Sequence, residues 1–398
     1  MTAPLTLEAA QERLFALATP LAAEMIAVDD AAGRHLAWEL EARRTQPARD
    51  LSVMDGFAVA GPGPWRIIGE SRAGAPFAGS LGAGSAVRIS TGAACPAGTG
   101  AILVREDAEV RGTTLATLSG VGFHQDDRWI RRRGFDFAAG DPLLAAGTLV
   151  GPAQIALARA AGHGHLEVAR RPLVAVIECG DELAADPSDP HPDRIPASNG
   201  AMVAAMVRSV GGRVSRIGPL PDDRAELALA ISEAANADVI VTTAGASVGE
   251  HDHVGGALAD RGAELAFWRV AIRPGRPLLV TRLGRQVVLG LPGNPASSYV
   301  TAFLFLLPLL RALQGAAQHL PAAVRLPLAA PLPDGGERRE FWRARFTDAG
   351  VEPLPERDSS ALRTLAAADI LIDRPAGAPG AAPGELVICH WLPSGGSA

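Results

Sequence analysis

The chain has 398 residues, 48% of them hydrophobic and 20% charged, with a formal net charge of −6. That length is too great for one core and implies two to four domains, while the composition excludes wholesale disorder. The acidic balance argues against a duplex nucleic-acid partner, which needs a basic face.

In chain order, residues 7–18 carry helical spacing, with Thr6 available as N-cap. Glu8, Glu12 and Arg13 in the first turns exclude a secretory signal. A second helix is expected at 35–43. From residue 50 to about 128, short β-type runs at 65–68, 86–89, 101–104 and 114–118 alternate with Gly/Pro turns, which reads as a small β domain. Residues 152–161 are helical again, with Pro152 in the first turn, and are expected to return to the first helices as one discontinuous unit.

Beyond residue 172 the pattern changes. Apolar strands at 173–178, 213–217, 239–242 and 287–291 alternate with helices at 201–210, 222–235 and 296–313. Continuous apolar strands joined by helices predict a parallel sheet buried on both faces, with ligands bound beyond the carboxyl ends of the strands. The apolar run at 299–310 is shorter than the ~20 residues a membrane span needs, so it reads as a buried helix and no membrane partner is expected. From about residue 321 short strands and Gly/Pro turns return. The fold class is therefore multidomain α/β. It comprises a parallel α/β domain (169–318), a discontinuous helical arm (1–45 and 130–168) and two small β domains (46–129 and 319–398).

Cys95, Cys179 and Cys389 are too few and too scattered for a disulfide framework or zinc site, which fits a reducing, cytoplasmic setting. All 37 basic residues are arginine. Cationic roles thus fall to guanidinium, and Schiff-base chemistry through lysine is excluded.

Three loops follow the central strands: "CGDEL" at 179–183, "TAGASVGEHD" at 243–252 and "PGNPASS" at 292–298. All would gather at one sheet edge. Their glycines let backbone N–H groups face an anion, and the helix starting near Ala296 adds its positive end. Asp181, Glu182, Glu250 and Asp252 are hard oxygen donors suited to magnesium. In "VAIRPGRPL", Arg273 and Arg276 flank a stiff turn and can hold a tetrahedral oxyanion. Plainer roles stand beside these. "PGNP" can be a simple turn, Asp55 a turn cap, Thr91 a turn hydroxyl, Asp222 an N-cap, and Arg343 part of a solvated strand face. His251 and His253 form HxH without a third metal ligand at convincing spacing. "GASVG" fits GxSxG with Ser247 as nucleophile and His390 as base. The polar "EHDHVGG" that follows is not the apolar-faced helix a nucleophile elbow feeds into, so a serine hydrolase is disfavoured.

In order along nearly the whole chain, "GRHLA" (33–37), "SVMDGFAV" (52–59), "VRISTGAACPAG" (87–98), "AILVRED" and "RRRGFDFAAGD" are followed by "CGDEL" and Asn199. Then come "SVGEHD", "IRPGRP", "LPGNPASS" and "REFWRARF". This series resembles the molybdopterin molybdotransferase family, the bacterial MoeA proteins and the E domain of gephyrin. The resemblance implies a MoaB/MogA-like α/β domain and an elongated homodimer, with a cleft lined by the sheet domain of one subunit and the small domains of its partner. It implies molybdate insertion into adenylylated molybdopterin with magnesium-supported release of AMP. An upstream adenylyltransferase and recipient molybdoenzymes would be partners. Carried over by motif, Asp55, Thr91, Glu182, Asp222 and Asp252 are the expected catalytic residues, the last three also holding magnesium. Ser247, Gly249, Arg273, Arg276, Pro292, Gly293, Asn294, Arg343 and Ser359 are the expected substrate contacts. The family usually has lysines where Arg273 and Arg276 stand, and a glycine where Ala244 stands. Alanine at that position costs free energy if the loop needs positive φ. The alternative is a non-catalytic molybdopterin-binding or scaffolding paralogue of the same fold.

Overall fold

The structure is a computed structural model that describes residues 3–244 and 253–393. Its centre is a six-stranded sheet ordered Arg213–Leu220, Leu173–Cys179, Val239–Thr242, Gln286–Gly290, Leu279–Leu283 and Glu264–Trp268. The first four strands are parallel, as the continuous apolar runs require. Two strands beyond the four expected extend the sheet at one edge. Leu279–Leu283 runs antiparallel to both neighbours, because the two-residue connection from Leu283 to Gln286 leaves room only for a hairpin.

Side chains alternate across the sheet. Val174, Val176 and Leu289 join one core with the helices Asn199–Ser209 and Pro295–Leu313, while Ala175, Ile177, Ile240 and Val288 join another with Arg224–Glu233 and His253–Asp260. Pro295–Leu313 is apolar enough and long enough to cross a membrane, but 89% of its most apolar window is buried in the protein, so it serves as the core helix. It contains a π turn, Ala302–Leu306, just before Pro308. Proline has no N–H to give the carbonyl four residues back. Gln11 supplies one instead, its Nε2 donating to the Leu304 carbonyl at 2.9 Å.

Gln11 belongs to the helix Leu7–Phe15, capped by Thr6 as the sequence indicates. Leu7, Ala10 and Leu14 of this helix are buried in the core of the central sheet, so it does not pack with Pro152–Ala160 as expected. The second expected helix, 35–43, is absent. His35 and Leu36 bridge to Leu149 and Val168, and Leu40–Glu41 pairs with Pro142–Leu144. Alongside, Ala23–Ala27 pairs with His165–Ala169.

The small β region is a six-stranded sheet ordered Ala101–Val104, Gly56–Ala60, Ser85–Ile89, Trp65–Ser71, Thr114–Thr117 and Ala108–Arg111. The C-terminal sheet is ordered Ile272–Arg273, Arg339–Thr347, Ile370–Arg374, Leu386–Trp391 and Val324–Pro327, with Gly350–Pro353 paired to Arg339–Thr347. Its first strand leaves the α/β region to join it, setting Arg273 opposite Glu340. A bidentate pair from Arg339 to the buried Asp373 (2.6 and 2.5 Å) lies in this sheet, and Arg339 also reaches Glu8 of the first helix. The Arg339–Glu8 pair and the strand Ile272–Arg273 therefore tie the N-terminal helix and the central sheet to the C-terminal sheet.

Candidate functional site

The carboxyl ends of the parallel strands open onto a cavity of about 690 Å³, whose wall includes Glu182, Ala244, Pro292, Gly293, Asn294 and Ser297. Glu182 reaches it from the turn after Leu173–Cys179. It is exposed, and among the described residues its carboxylate has no partner. Asn199 starts a helix and donates Nδ2 to the Gly293 carbonyl at 2.6 Å, which fixes the 292–294 turn against the sheet. Ala244 is not strained. Arg269 is the only non-glycine residue with positive φ among those described, so alanine at 244 carries no backbone cost.

A second cavity, about 310 Å³, adjoins the first through Pro277 and Ser297, which line both. Arg273 and Arg276 form one side and Arg343 and Ser359 another. Gly275 makes the arginine turn possible. Its φ is +102°, and a Cβ there would lie 2.6 Å from Thr301 Cγ2 of the core helix, so only glycine lets the turn lie this close.

Two expectations about this region change. Arg343 is not on a solvated face. It is 6% exposed, and its guanidinium donates to the carbonyls of Glu356, Asp358 and Ala361 at 2.9, 3.0 and 3.2 Å. Burial is what draws its pKa below the ordinary value, against the opposing pull of Glu356 and Asp358. Its role in this geometry is to shape the loop that carries Ser359. That loop then occupies the helix N-terminus assigned to an anion. Ser359 accepts from Asn294 Nδ2 at 2.8 Å, and its carbonyl takes the Ala296 amide at 2.9 Å.

The remaining residues lie apart. Asp222 precedes the helix Arg224–Glu233 but does not cap it. Asp223 does, accepting from the amides of Ala225 and Glu226. The Asp222 amide instead donates to Asp181 Oδ1 at 3.1 Å. Asp55, just before the strand Gly56–Ala60, lines a third cavity of about 400 Å³ with Arg88, Ser90 and Arg105, and Thr91 follows in the turn after Ser85–Ile89. The Thr91 amide donates to Asp55 Oδ1 at 2.6 Å, and this bond with the Thr91 hydroxyl holds the carboxyl below its usual range. Ser247, Gly249, Glu250, His251 and Asp252 lie outside the described residues. His253 begins the helix His253–Asp260 rather than a strand. His390, the base a serine hydrolase would need, is 3.2 Å from Asp373 within the C-terminal sheet.

Carboxylate oxygens are the donors magnesium takes, and Glu182, on the cavity wall and without a partner among the described residues, fits that chemistry. Among the described residues no cluster of three such ligands forms. Residues the sequence reading passed over also line the second cavity, notably Trp342, Glu340 and Arg357. The alternation of "REFWRARF" placed Trp342 on a strand, but nothing local shows that Glu340 meets Arg273.

Three family models match in series. They are the MoeA N-terminal region (domain I and II) at residues 5–162, a probable molybdopterin binding domain at 175–312, and the MoeA C-terminal region (domain IV) at 325–390. A molybdopterin molybdenumtransferase of Haemophilus influenzae is 33% identical over 321 residues, 79% of each chain. One of Synechococcus elongatus is 34% identical over 368 residues, 87% of this chain and 89% of the relative. A solved structure of a molybdopterin biosynthesis protein from Pyrococcus horikosii superposes with a TM-score of 0.81 at 26% identity, over 98% of this chain and 99% of that one.

Proposed function

The chain belongs to the molybdopterin molybdenumtransferase family, and on that premise we propose that it inserts molybdate into adenylylated molybdopterin and releases AMP. The observation that supports this most is the joining of the two cavities. One wall carries the Glu182 carboxylate, without a partner among the described residues, and the other a group of guanidiniums, and Pro277 and Ser297 belong to both. A phosphate-bearing substrate and an oxyanion need such neighbours, since carboxylates alone would repel both.

In this reading Glu182 orients the water that attacks the adenylate phosphorus, with Asp222 and Asp252 as the further acids. These carboxylates are the residues that would hold magnesium, which would supply charge neutralisation on the phosphate. Arg273 and Arg276 bind molybdate. Asn294, Gly293, Pro292, Ser247 and Gly249 shape the pterin-phosphate side, while Arg343 holds the Ser359 loop against it. Asp55 and Thr91 act from the partner of a homodimer. The working units in this reading are 1–45 with 130–168, 46–129, 169–318 and 319–398, with the helix Leu7–Phe15 docked on the third and Ile272–Arg273 joined to the sheet of the fourth. A cytoplasmic enzyme taking its substrate from an adenylyltransferase and serving molybdoenzymes fits three cysteines that lie far apart in the sequence.

The test is to incubate the protein with adenylylated molybdopterin, magnesium and molybdate, following AMP release beside reconstitution of a cofactor-free molybdoenzyme. Molybdate-dependent AMP release with reconstitution is expected. Tight binding of the substrate without release would overturn the enzymatic reading in favour of a scaffold.

A further inference from the structure

The arginine-lined cavity holds more cation than the two residues of its turn. Arg273, Arg276, Arg338, Arg343 and Arg357 face three carboxylates, Glu340, Glu356 and Asp358, an excess of two positive charges in a chain whose net charge is −6. Two of those carboxylates serve their own loop. Glu356 accepts the Asp358 amide at 2.6 Å, and Asp358 accepts from the Ser360 amide and hydroxyl at 2.8 and 2.6 Å. Arg343 is likewise committed to carbonyls.

Glu340 is different. It is 4% exposed and lies beneath the cavity as the shared counter-ion of two guanidiniums. Arg357 Nη2 is 3.4 Å from both its oxygens, and Arg273 Nη1 is 3.5 Å from one. Those distances are at the long end for a hydrogen bond, so neither cation is fully neutralised. Glu340 also accepts from Trp342 Nε1 at 3.0 Å, which fixes the indole. The Arg357 guanidinium stacks on that indole with its central carbon 3.6 Å from the ring centroid. The side chain is still 38% exposed. A guanidinium has five N–H donors, and among the described residues Arg357 engages only Glu340.

We propose that Arg357 is a further anion-recognising residue of this cavity, that Trp342 and Glu340 are its positioning residues, and that with Arg273 it selects a doubly charged tetrahedral oxyanion. The stack and the shared carboxylate hold two planar forks before any ligand arrives, so binding does not have to immobilise a free side chain. The surplus of two charges matches a dianion. The inference rests on molybdate being the oxyanion of the proposed function, and its test separates the two.

Binding of molybdate, and separately of inorganic phosphate, would be measured by calorimetry with the full chain. The variants are Arg357→Gln, Arg357→Lys, Trp342→Leu and, as a control on an exposed strand of the C-terminal sheet, Arg325→Gln. Arg357→Gln should weaken molybdate binding about tenfold, the effect of losing one charge-assisted contact. Arg357→Lys should recover part of that loss. Trp342→Leu should weaken binding about threefold through a misplaced guanidinium. Arg325→Gln should bind as wild type. If the wild type binds molybdate and Arg357→Gln binds it equally well, the inference is overturned and the functional reading survives. If the wild type binds phosphate but not molybdate, and Arg357→Gln loses phosphate, the role of Arg357 stands and the molybdate reading falls. If the wild type binds neither anion, both fall.

Discussion

The small β region and the joined cavities of the α/β region gather their polar residues on different plans. Asp55 and Thr91 come from neighbouring parts of one sheet and satisfy each other through a 2.6 Å bond. Glu182, Gly293, Arg276 and Ser359 come from four distant segments, and the chain between them forms the walls. In the first case the polar contact joins two loops that flank the sheet. In the second the fold collects groups that leave donors and carboxylates open to a ligand. Within one protomer Asp55 and Glu182 line separate cavities, so a shared reaction centre needs a second copy of the chain, as proposed above.

The largest effect should come from the open carboxylate. Glu182→Gln is expected to lower AMP release by about a hundredfold or more, with the unfolding temperature unchanged, since the side chain is exposed and its carboxylate has no partner among the described residues. A wild-type rate at saturating substrate would remove Glu182 from the mechanism. The division between the regions is tested by mixing. Asp55→Ala and Glu182→Gln should each be inactive, yet refolding them together in equal amounts should restore about a quarter of wild-type activity through mixed dimers. No recovery would mean the two sets serve one protomer or do not meet.

A smaller effect concerns the frame behind the arginine cavity. Burial alone would raise the Asp373 pKa, but the Arg339 and His390 contacts outweigh it and hold the carboxyl below its ordinary value. Its stabilisation is therefore full above the carboxylate pKa of the unfolded chain and is lost as pH falls through the lower folded value. Asp373→Asn should cost about 3 kcal/mol at neutral pH, because it leaves Arg339 without its buried partner. The difference from wild type should narrow on acidification below about pH 4. An unchanged gap in denaturant titrations across that range would contradict the linkage. The smallest effect should be at the thiols. Burial, with the nearby Asp50 charge, pushes Cys95 up to about 11, and burial with Asp373 pushes Cys389 up to about 12. Alkylation at pH 8 should be slow at both in the native protein and fast after unfolding. Rapid native labelling of Cys95 would show that the small β region opens more readily than the rest.

The legible parts of the sequence were those whose neighbours repeat a local pattern. Ala101–Val104 and Val239–Thr242 begin and end where their apolar runs do. The segment 35–43 misled because Leu36 and Leu40 stand four apart, as on a helix. Their partners, Val168 and Leu144, lie more than a hundred residues later and prevail. Arg343 misled for a related reason. Strand alternation predicts its side but not the three carbonyls that make burial of a guanidinium tolerable. Of the candidate site, the loops and the arginine turn could be read from glycine and proline placement. The pairing of Ile272–Arg273 with Arg339–Thr347, which puts Glu340 under Arg273, could not, because two residues carry no strand signal.

The bond from Gln11 to Leu304 also has a consequence for synthesis. Its two ends are 293 residues apart. At ~5–20 residues per second, a ribosome takes roughly 15 to 60 s to make the acceptor after the donor has emerged. Until the central sheet is made, the apolar face of Leu7–Phe15 has no core to cover it. The nascent chain must keep its first helix available, alone or in the hands of a chaperone, until the last helix of the central sheet arrives to receive it.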